Sequence, residues 1–288
     1  MSAPLLSVVV ATYEWPEALD VVLRALSEQS DPASEVVVAD DGSGPETAAT
    51  VERWRAAFRN RLVHAWQPDE GYRRARILNL GALTGSGDAL VFLDGDCVPR
   101  RRFVESVRRA LLPGWFLAGK RLNLNIDLSR RVIEEQFPVW RWSAAKWLMR
   151  APLEVRRPGL LVPLRDRRRS WRPGQPEFSP PYDAYGFFFG ISRGDFERVN
   201  GFDMRFVGWG GEDEDIAARL RQAGLRCGWP GPRSTLIHLW HETRVDRARP
   251  NTALLRETQG SDRIEAVDGL RQLALELEEH PSRVGSSS

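Results

Sequence analysis

The sequence predicts an α/β fold built around a doubly wound, mostly parallel sheet. Unbroken apolar runs of strand length alternate with segments of helical period in the N-terminal part of the chain. Apolar runs without polar alternation are typical of parallel strands that are buried on both faces. These runs end in polar or acidic residues, and ligands of open α/β sheets bind outside the carboxyl ends of the strands. The pattern therefore indicates both a fold and the sheet edge where a ligand would bind.

The predicted elements follow one another in chain order. A strand at residues 5–11 ends at Thr12 and Tyr13, and the helix after it has Pro16 near its start. The next elements are a strand at 35–39, a helix at about 45–58, and strands at 62–66 and 89–93. Apolar residues at helical spacing from Ile264 to Leu277 predict a closing C-terminal helix.

Two carboxylates, Asp94 and Asp96, directly follow the strand at 89–93. Such a pair at a strand end can share a hard divalent cation that also binds a diphosphate. An ordinary strand-to-turn signal is the alternative. The glycine-rich phosphate loops of the dinucleotide-binding and P-loop types are missing from the sequence. This favours a nucleotide that is held through its base, its ribose and a bridging metal.

The most specific segment runs from Gly208 to Asp215 and reads Gly-Trp-Gly-Gly-Glu-Asp-Glu-Asp. Four adjacent carboxylates repel one another, but the first turn of a helix stabilises negative charge. Ile216 and Leu220 continue the segment at helical spacing. An acidic first turn on an ordinary surface helix would explain the charges alone. It leaves Trp209 unexplained, because an aromatic face between glycines and beside fixed carboxylates suits a sugar.

Several of these segments together resemble known enzymes. The segments are Thr12-Tyr13, Asp40-Asp41-Gly42-Ser43, Leu93-Asp94-Gly95-Asp96, and residues 72–81, 188–192, 200–202 and 208–216. On these residues the N-terminal half resembles the family 2 glycosyltransferases of GT-A fold. The C-terminal half is similar to the acceptor region of the β-1,4-galactosyltransferases and the chondroitin-polymerase-like enzymes. The resemblance covers about residues 5–110 and 185–245.

The resemblance implies a donor-binding role for a set of matched positions. These are Thr12, Tyr13, Asp40, Asp41, Arg74, Asn79, Asp94 and Trp209. Asp40 would contact the base, Arg74 the diphosphate or the ribose, and Asp94 would lie near the ribose. Leu78 stands where many family members carry an arginine, so Arg73, Arg74 and Arg76 remain alternatives for the diphosphate contact.

The resemblance also implies the acceptor side of the site. Trp209 would form the floor between donor and acceptor, while Glu212 and Asp213 would handle the acceptor hydroxyls, with Asp213 as the general base. The acceptor-binding positions would be Gly210, Gly211, Glu212 and Glu214.

Two of the four histidines, His238 and His241, lie three residues apart after a short apolar run. Imidazoles at this spacing can converge on one metal from a turn or a helix start. Two exposed histidines at a strand end are the alternative. In the resembling enzymes a metal-binding histidine follows the acidic helix at about this distance, and His241 matches it best. His238 falls where some relatives carry another ligand. Imidazole together with Asp96 suits Mn²⁺, with Mg²⁺ as the alternative cofactor.

Composition limits the number of domains, the kind of partner and the cellular compartment that we expect. The 288 residues suffice for one large or two fused domains, and the net charge of +2 excludes a globally polyanion-binding surface. Cys97 and Cys227 form no disulfide framework, and neither a signal peptide nor a membrane-spanning apolar run is present, so we predict a cytoplasmic protein. Only two of the 41 basic residues are lysines, Lys120 and Lys146, which suggests a GC-rich bacterial genome.

Residues 140–172 differ from both flanking regions. Ten basic residues are opposed by only two acids and are interleaved with Trp140, Trp142 and Trp147. A basic aromatic segment can lie in a membrane interface against anionic lipid, which predicts a peripheral contact with the inner face of the cell membrane. A solvated loop over the active-site cleft is the alternative. No recognised nucleic-acid-binding module accompanies the segment, so we expect no nucleic-acid partner.

The sequence favours a metal-dependent inverting glycosyltransferase that moves a sugar from a nucleotide-diphosphate donor, a UDP-sugar, to a saccharide or lipid-linked acceptor. We expect it to act in the synthesis of bacterial surface polysaccharide or glycoconjugates. A non-catalytic carbohydrate-binding or scaffold protein of the same fold is the alternative. Such a protein would be expected to lose Asp96, Asp213 or the histidines, and all of them are present. A nucleotidyltransferase is a weaker third option.

We predict three regions along the chain. Residues 1–120 would form the nucleotide-sugar-binding half, residues 121–180 a basic aromatic insertion or loop, and residues 181–288 the acceptor-binding and catalytic half with its C-terminal helix.

Overall fold

The structure is a computed structural model that describes residues 4–143, 145–147, 149–150, 155, 187–242, 251–280 and 285–287. The strands are β1 Leu6–Thr12, β2 Glu35–Asp40, β3 Arg61–Trp66, β4 Ala89–Asp94, β5 Cys97–Val98, β6 Trp115–Ala118, β7 Arg121–Asn123, β8 Phe188–Ser192, β9 Arg226–Gly228, β10 Leu236–His238 and β11 Gly285–Ser287. The helices are α1 Pro16–Ser27, α2 Pro45–Arg55, α3 Arg74–Thr84, α4 Phe103–Ala110, α5 Ile126–Glu134, α6 Arg193–Arg198, α7 Glu212–Gln222, α8 Thr252–Gln259 and α9 Leu270–Glu279.

The large sheet has the strand order β11-β3-β2-β1-β4-β8-β6-β9. β1 pairs in parallel with both β2 and β4, and β2 pairs in parallel with β3. β8 inserts between β4 and β6 and is antiparallel to both. The predicted α/β fold with a mostly parallel sheet is confirmed. Strands from the N-terminal and C-terminal parts of the chain share this sheet, and the predicted division into three regions stays a prediction.

β1 lies at the point where the strand order reverses, between β2 on one side and β4 on the other. Its side chains alternate between two buried cores. Val8 and Val10 pack on the side of α1, α4 and α5, whereas Val9 packs on the side of α3, α7 and α9. Burial on both faces explains the unbroken apolar run. A crevice at such a reversal is where open α/β sheets bind ligands, and Thr12 and Asp94 mark its rim.

A small second sheet with the order β5-β10-β7 lies next to the end of β4. His238 of β10 pairs with Cys97 of β5 on one side and with Asn123 of β7 on the other. The backbone N–H of Leu239 also donates to the carbonyl of Asp96 at 3.0 Å. These pairings bring β10, about 140 positions further along the chain, against the Asp94–Asp96 turn.

The tryptophans that we predicted to face a membrane interface are part of the core instead. Trp140, Trp142 and Trp147 are 1%, 6% and 0% exposed. Trp140 donates its indole N–H to Glu28 at 2.7 Å, and the rings of Trp142 and Trp147 lie 4.9 Å apart. The aromatic part of the predicted lipid contact is therefore wrong, because these rings fill space inside the protein. Residues 156–172 lie outside the described residues.

Among the described residues, none of the helices has the length and apolar character needed to cross a membrane.

Candidate active site

The structure brings the three predicted metal ligands together at the end of β4. The Nε2 atoms of His238 and His241 lie 3.4 Å and 3.3 Å from Oδ2 of Asp96. The other carboxylate oxygen, Oδ1, is buried and has no hydrogen-bond partner among the described residues. A buried acceptor without a partner is costly unless a ligand supplies one. This donor set of one carboxylate and two imidazoles fits a divalent transition metal.

Hydrogen bonds couple the protonation of Asp96 to that of the two histidines, and the contact with Asp96 raises the pKa of His241. Burial opposes ionisation of Asp96, but hydrogen bonds from His238 and His241 outweigh it and hold the pKa of Asp96 well below its usual range. Ligand atoms of Asp96, Cys97 and His238 lie within 4.8 Å of one another. Burial raises the pKa of the Cys97 thiol well above its usual value, so Cys97 stays a neutral thiol. Cys97 therefore lies beside the predicted ligands Asp96, His238 and His241 without being one of them.

Trp15, the residue directly before helix α1, supports this cluster. Trp15 packs edge-on against the imidazole of His241, with ring centroids 5.9 Å apart. The backbone N–H of Trp240 donates to Oγ of Ser129 at 2.8 Å. These contacts fix the segment between the two histidines from the side of α1 and α5. The sequence analysis did not assign Trp15 to the site, and the only available signal was an aromatic residue directly before Pro16.

Arg74, at the start of α3, lies at the centre of the site. Its Nη2 donates to Asp94 at 2.8 Å, and its Nη1 donates to Asp213 at 2.9 Å and to Glu212 at 3.4 Å. The guanidinium therefore bridges the end of β4 and the start of α7. Its side chain is 10% exposed, and the three carboxylates offset the cost of burying its charge.

The other two candidate arginines point elsewhere. Arg73 donates to the carbonyl of Pro68 and forms an ion pair with Glu70. Arg76 donates to Gln67 and to Glu276 of α9. Of the three alternatives for the diphosphate contact, Arg74 is the one whose guanidinium bonds to Asp94, Glu212 and Asp213 within the described part of the chain.

Glu212 and Asp213 occupy the first turn of α7 on the side that faces Arg74. Glu212 is 4% exposed, and its Oε2 is buried without a hydrogen-bond partner among the described residues. Burial, followed by the negative charge of Asp213, raises the pKa of Glu212 to about 7. Glu214, the next residue, is partly exposed, and the ion pairs of Arg74 with this turn go to Glu212 and Asp213. The first turn thus presents two neighbouring carboxyl groups, and the pKa of one of them, Glu212, is raised into the neutral range.

Asp215 has a structural role that sequence reasoning missed. It is fully buried and pairs at 2.7 Å with Arg219, which is also fully buried. Arg219 donates further to the carbonyls of Val199 and Gly201, and Thr258 of α8 donates to Asp215 at 2.6 Å. This network holds α7 against the turn after α6. The spacing of four residues between Asp215 and Arg219 was the available signal.

The segment before α7 presents Trp209 at the mouth of the site. Gly208, Gly210 and Gly211 have φ values of 81°, 91° and 100°, a left-handed region that favours glycine. Trp209 itself is 53% exposed. The N–H of Gly208 donates to the carbonyl of Tyr72 at 2.9 Å, which ties the segment to the entry of α3. Trp209 is thus an exposed indole three positions before Glu212, and its role as a sugar platform stays a prediction.

The predicted donor-binding residues at the end of β1 lie at the rim of the crevice. Thr12 is 8% exposed, and its carbonyl accepts a hydrogen bond from the N–H of Asp41 at 3.0 Å. Tyr13 is half-exposed and donates its hydroxyl to Asp69 at 3.0 Å. The carboxylate of Asp41 accepts from the N–H of Arg73 at 2.9 Å. Tyr13 is the most accessible of these side chains.

Two predicted donor contacts need correction. Asp40 is fully buried, and its oxygens are bonded to the N–H of Ser43 at 2.8 Å and to His64 at 2.9 Å. Asn79 is fully buried as well, and its amide pairs with both the N–H and the carbonyl of Phe202. Neither side chain is accessible to a donor in this structure. Asn79 instead joins α3 to the turn that Arg219 holds from the other side.

Comparison with known proteins adds an independent line of evidence. Residues 7–146 match the model of glycosyl transferase family 2, and residues 172–242 match that of the N-terminal domain of galactosyltransferase. A validoxylamine A glucosyltransferase of Streptomyces hygroscopicus subsp. jinggangensis is 32% identical over 236 residues, which cover 77% of this chain and 52% of that protein. Beta-1,4-galactosyltransferase 2 of Cricetulus griseus is 30% identical over 135 residues, 42% of this chain and 37% of that protein.

Solved structures support the fold. The mannosyltransferase PcManGT from Pyrobaculum calidifontis, in complex with GDP-Man and Mn²⁺, has a TM-score of 0.54 at 19% sequence identity. The match covers 85% of this chain and 59% of that one. The predicted GT-A fold is confirmed. The chain spans about half the length of the validoxylamine enzyme and less of the galactosyltransferase.

Proposed function

The chain belongs to family 2 of the glycosyltransferases, with a galactosyltransferase-type C-terminal region, and on that premise we propose that it is a metal-dependent inverting glycosyltransferase. It moves a sugar from a nucleotide-diphosphate donor, a UDP-sugar, to a hydroxyl group of a saccharide or lipid-linked acceptor. One observation carries this proposal. Arg74 bonds Asp94 beside the candidate metal ligands and Asp213 in the first turn of α7, so donor-side and acceptor-side carboxylates meet at one guanidinium.

On the donor side, Asp96, His238 and His241 would hold the cation, which is Mn²⁺ or Mg²⁺. The buried and unpartnered Oδ1 of Asp96 supports this assignment. The ion, when bound, supplies positive charge for the leaving diphosphate. Tyr13 and Asp94 would bind the nucleoside at the crevice between β1 and β4.

On the acceptor side, Asp213 would take the proton of the attacking hydroxyl. A single displacement at the anomeric carbon needs a base on the face opposite the leaving group, and it inverts the configuration. Arg74 holds Asp213 at 2.9 Å and so fixes the direction of its carboxylate. Glu212 would bind an acceptor hydroxyl as a hydrogen-bond donor or acceptor, because its pKa is raised to about 7 by burial and by Asp213.

We extend the proposal to the synthesis of bacterial surface polysaccharides or glycoconjugates in the cytoplasm. With Trp140, Trp142 and Trp147 buried, a contact with anionic lipid would depend on the basic residues of the segment 141–172. Each basic residue near such a surface contributes about 1 kcal/mol. Co-sedimentation with liposomes that contain or lack anionic lipid tests this contact, and equal recovery in both supernatants would rule it out.

A panel of nucleotide sugars tests the proposed reaction. We expect Mn²⁺-dependent hydrolysis of one donor, faster transfer when a saccharide acceptor is added, and a product of inverted anomeric configuration by NMR. Full activity in excess EDTA, or a product that retains the donor configuration, would contradict the proposal.

A further inference from the structure

A side chain outside the matched motifs holds the tryptophan segment. Asn251 precedes α8 and is 5% exposed. Its amide Nδ2 donates to the carbonyl of Gly210 at 2.8 Å and reaches that of Gly208 at 3.4 Å. These two carbonyls flank Trp209 directly. The amide group of Asn251 is therefore hydrogen-bonded to the backbone on both sides of the Trp209 indole.

The tryptophan segment has little conformational preference of its own. Three of its four residues from Gly208 to Gly211 are glycines with positive φ, and glycine populates many other conformations at similar cost. The indole of Trp209 is 53% exposed, so burial contributes little to its position. Bonds from outside the segment must select its conformation. Among the described residues these are the carbonyl of Tyr72 at one end, the N–H of Asp215 at the other, and the amide of Asn251 on the two carbonyls beside Trp209.

Asn251 is itself fixed to the helix that carries Asp213. Thr258, at the other end of α8, donates to Asp215 at 2.6 Å, and Gln222 at the end of α7 donates to the carbonyl of Thr258 at 3.1 Å. Gly211 lies so close that a Cβ built there would be 3.3 Å from Cβ of Asn251. The position of Asn251 relative to α7 is thus determined by contacts at both ends of α8.

The side chain of Asn251 does not serve its own helix. Asparagine is among the residues that most often cap a helix N-terminus by accepting a backbone hydrogen bond. Asn251 occupies that position in α8, yet its side chain makes no capping bond. Its hydrogen-bonding capacity goes to the tryptophan segment instead.

We propose that Asn251 is a positioning residue that holds the Trp209 indole over the acceptor side of the site and thereby sets acceptor binding. The acceptor it serves presents an apolar pyranose face to the indole and hydroxyl groups to Glu212 and Asp213. This inference rests on the proposed function for its effect on the reaction, whereas the placement of Trp209 can be measured without any reaction.

Asn251→Asp tests the proposal, since the change keeps the shape and removes both amide donors. A carboxylate facing two carbonyl oxygens repels them, so the tryptophan segment is released. We expect the KM for the sugar acceptor to rise about tenfold or more. This is the scale of the cost when buried carbonyl oxygens lose their hydrogen-bond donor. Hydrolysis of the donor in the absence of acceptor should fall much less than acceptor transfer, because Arg74, Asp94 and Asp96 keep their contacts.

Fluorine NMR of protein labelled with 5-fluorotryptophan reports the indole directly. Trp209→Phe assigns the Trp209 resonance, and Asn251→Asp should shift or broaden it. Asn251→Ala should do the same without burying a charge, which covers the case in which the Asp variant fails to fold. Asn60→Asp is the matched control, because Asn60 donates to the carbonyl of Ala33 at the opposite edge of the sheet.

An unchanged Trp209 resonance in folded Asn251 variants would overturn the proposal, as would equal losses in donor hydrolysis and acceptor transfer. If the wild-type protein transfers no sugar, the proposed function fails, and the fluorine spectra still decide whether Asn251 positions Trp209.

Discussion

Helices α3 and α7 meet at the site with first turns of opposite charge. α7 begins with four carboxylates, where the helix dipole stabilises negative charge, whereas α3 begins with Arg74, where it does not. Arg74, whose charge is unfavourable at a helix N-terminus, is the residue that bonds to both Asp94 and Asp213. The comparison teaches that the carboxylates of α7 can be explained by local structure alone. The position of Arg74 is explained by its ion pairs with Asp94 at the end of β4 and with Asp213 at the start of α7.

A second contrast lies within α7 itself. Glu212 and Asp213 face Arg74, while Asp215 faces away and pairs with Arg219. The face with Glu212 and Asp213 lies in the candidate active site, and the face with Asp215 holds α7 against the rest of the protein. Changes on the two faces should therefore have different consequences, on activity and on stability respectively.

The largest effect on the donor side should come from Asp96→Ala. This change removes the carboxylate on which His238 and His241 converge, so we expect turnover to fall to background and donor binding to lose its dependence on Mn²⁺. Calorimetric titration of Mn²⁺ and a hydrolysis assay measure the two effects. The matched control is Asp262→Ala at an exposed position. Mn²⁺ binding of wild-type affinity in Asp96→Ala would contradict this assignment.

On the face of α7 with Asp215, Arg219→Met should destabilise the fold. It leaves Asp215 buried without its partner, and breaking a buried pair from one side typically costs about 3–5 kcal/mol. Urea unfolding measures the change in the free energy of unfolding. Arg198→Met, at an exposed position in α6, should change it by less than about 0.5 kcal/mol. Similar midpoints for the two variants would show that the Asp215–Arg219 pair does not hold α7 in place.

A smaller effect is expected at Glu212, on the pH dependence of the melting temperature. Burial, followed by Asp213, raises the pKa of Glu212 from its usual 4.5 to about 7. Between these values the folded protein holds a proton there that the unfolded chain releases, so stability falls as the pH rises through this window. We expect Glu212→Gln to reduce the fall in Tm between pH 4.5 and pH 7, whereas Glu214→Gln should leave it unchanged. Parallel Tm curves for wild type and Glu212→Gln would be the contrary result.

Local signals in the sequence predicted much of this fold and site. The strand before Asp94 and the acidic first turn of α7 follow from short-range apolar and charge patterns, so they were predictable. Asp96 and the two histidines were predicted as one cluster because the resemblance implies a metal-binding histidine after the acidic helix, at a position that His241 matches.

What could not be predicted depends on distant contacts. Asn79 received a donor-binding role from the resemblance, but its partner Phe202 lies 123 residues away. The tryptophans at 140–147 have the composition of an interface segment, and only the packing against Glu28 and the core shows that they are buried. Asn251 stands in no motif, and its partners Gly208 and Gly210 lie about 40 positions earlier.

The comparison of Asp213→Asn with Glu214→Gln tests the central claim most directly, because the two variants make the same chemical change one position apart on α7. With turnover and donor affinity measured for both, we expect Asp213→Asn to lose on the order of 10²–10⁴-fold in turnover while keeping its donor affinity. Glu214→Gln should stay close to wild type. Near-normal turnover in Asp213→Asn, or equal losses in the two variants, would contradict the assignment of Asp213 as the general base of an inverting transfer.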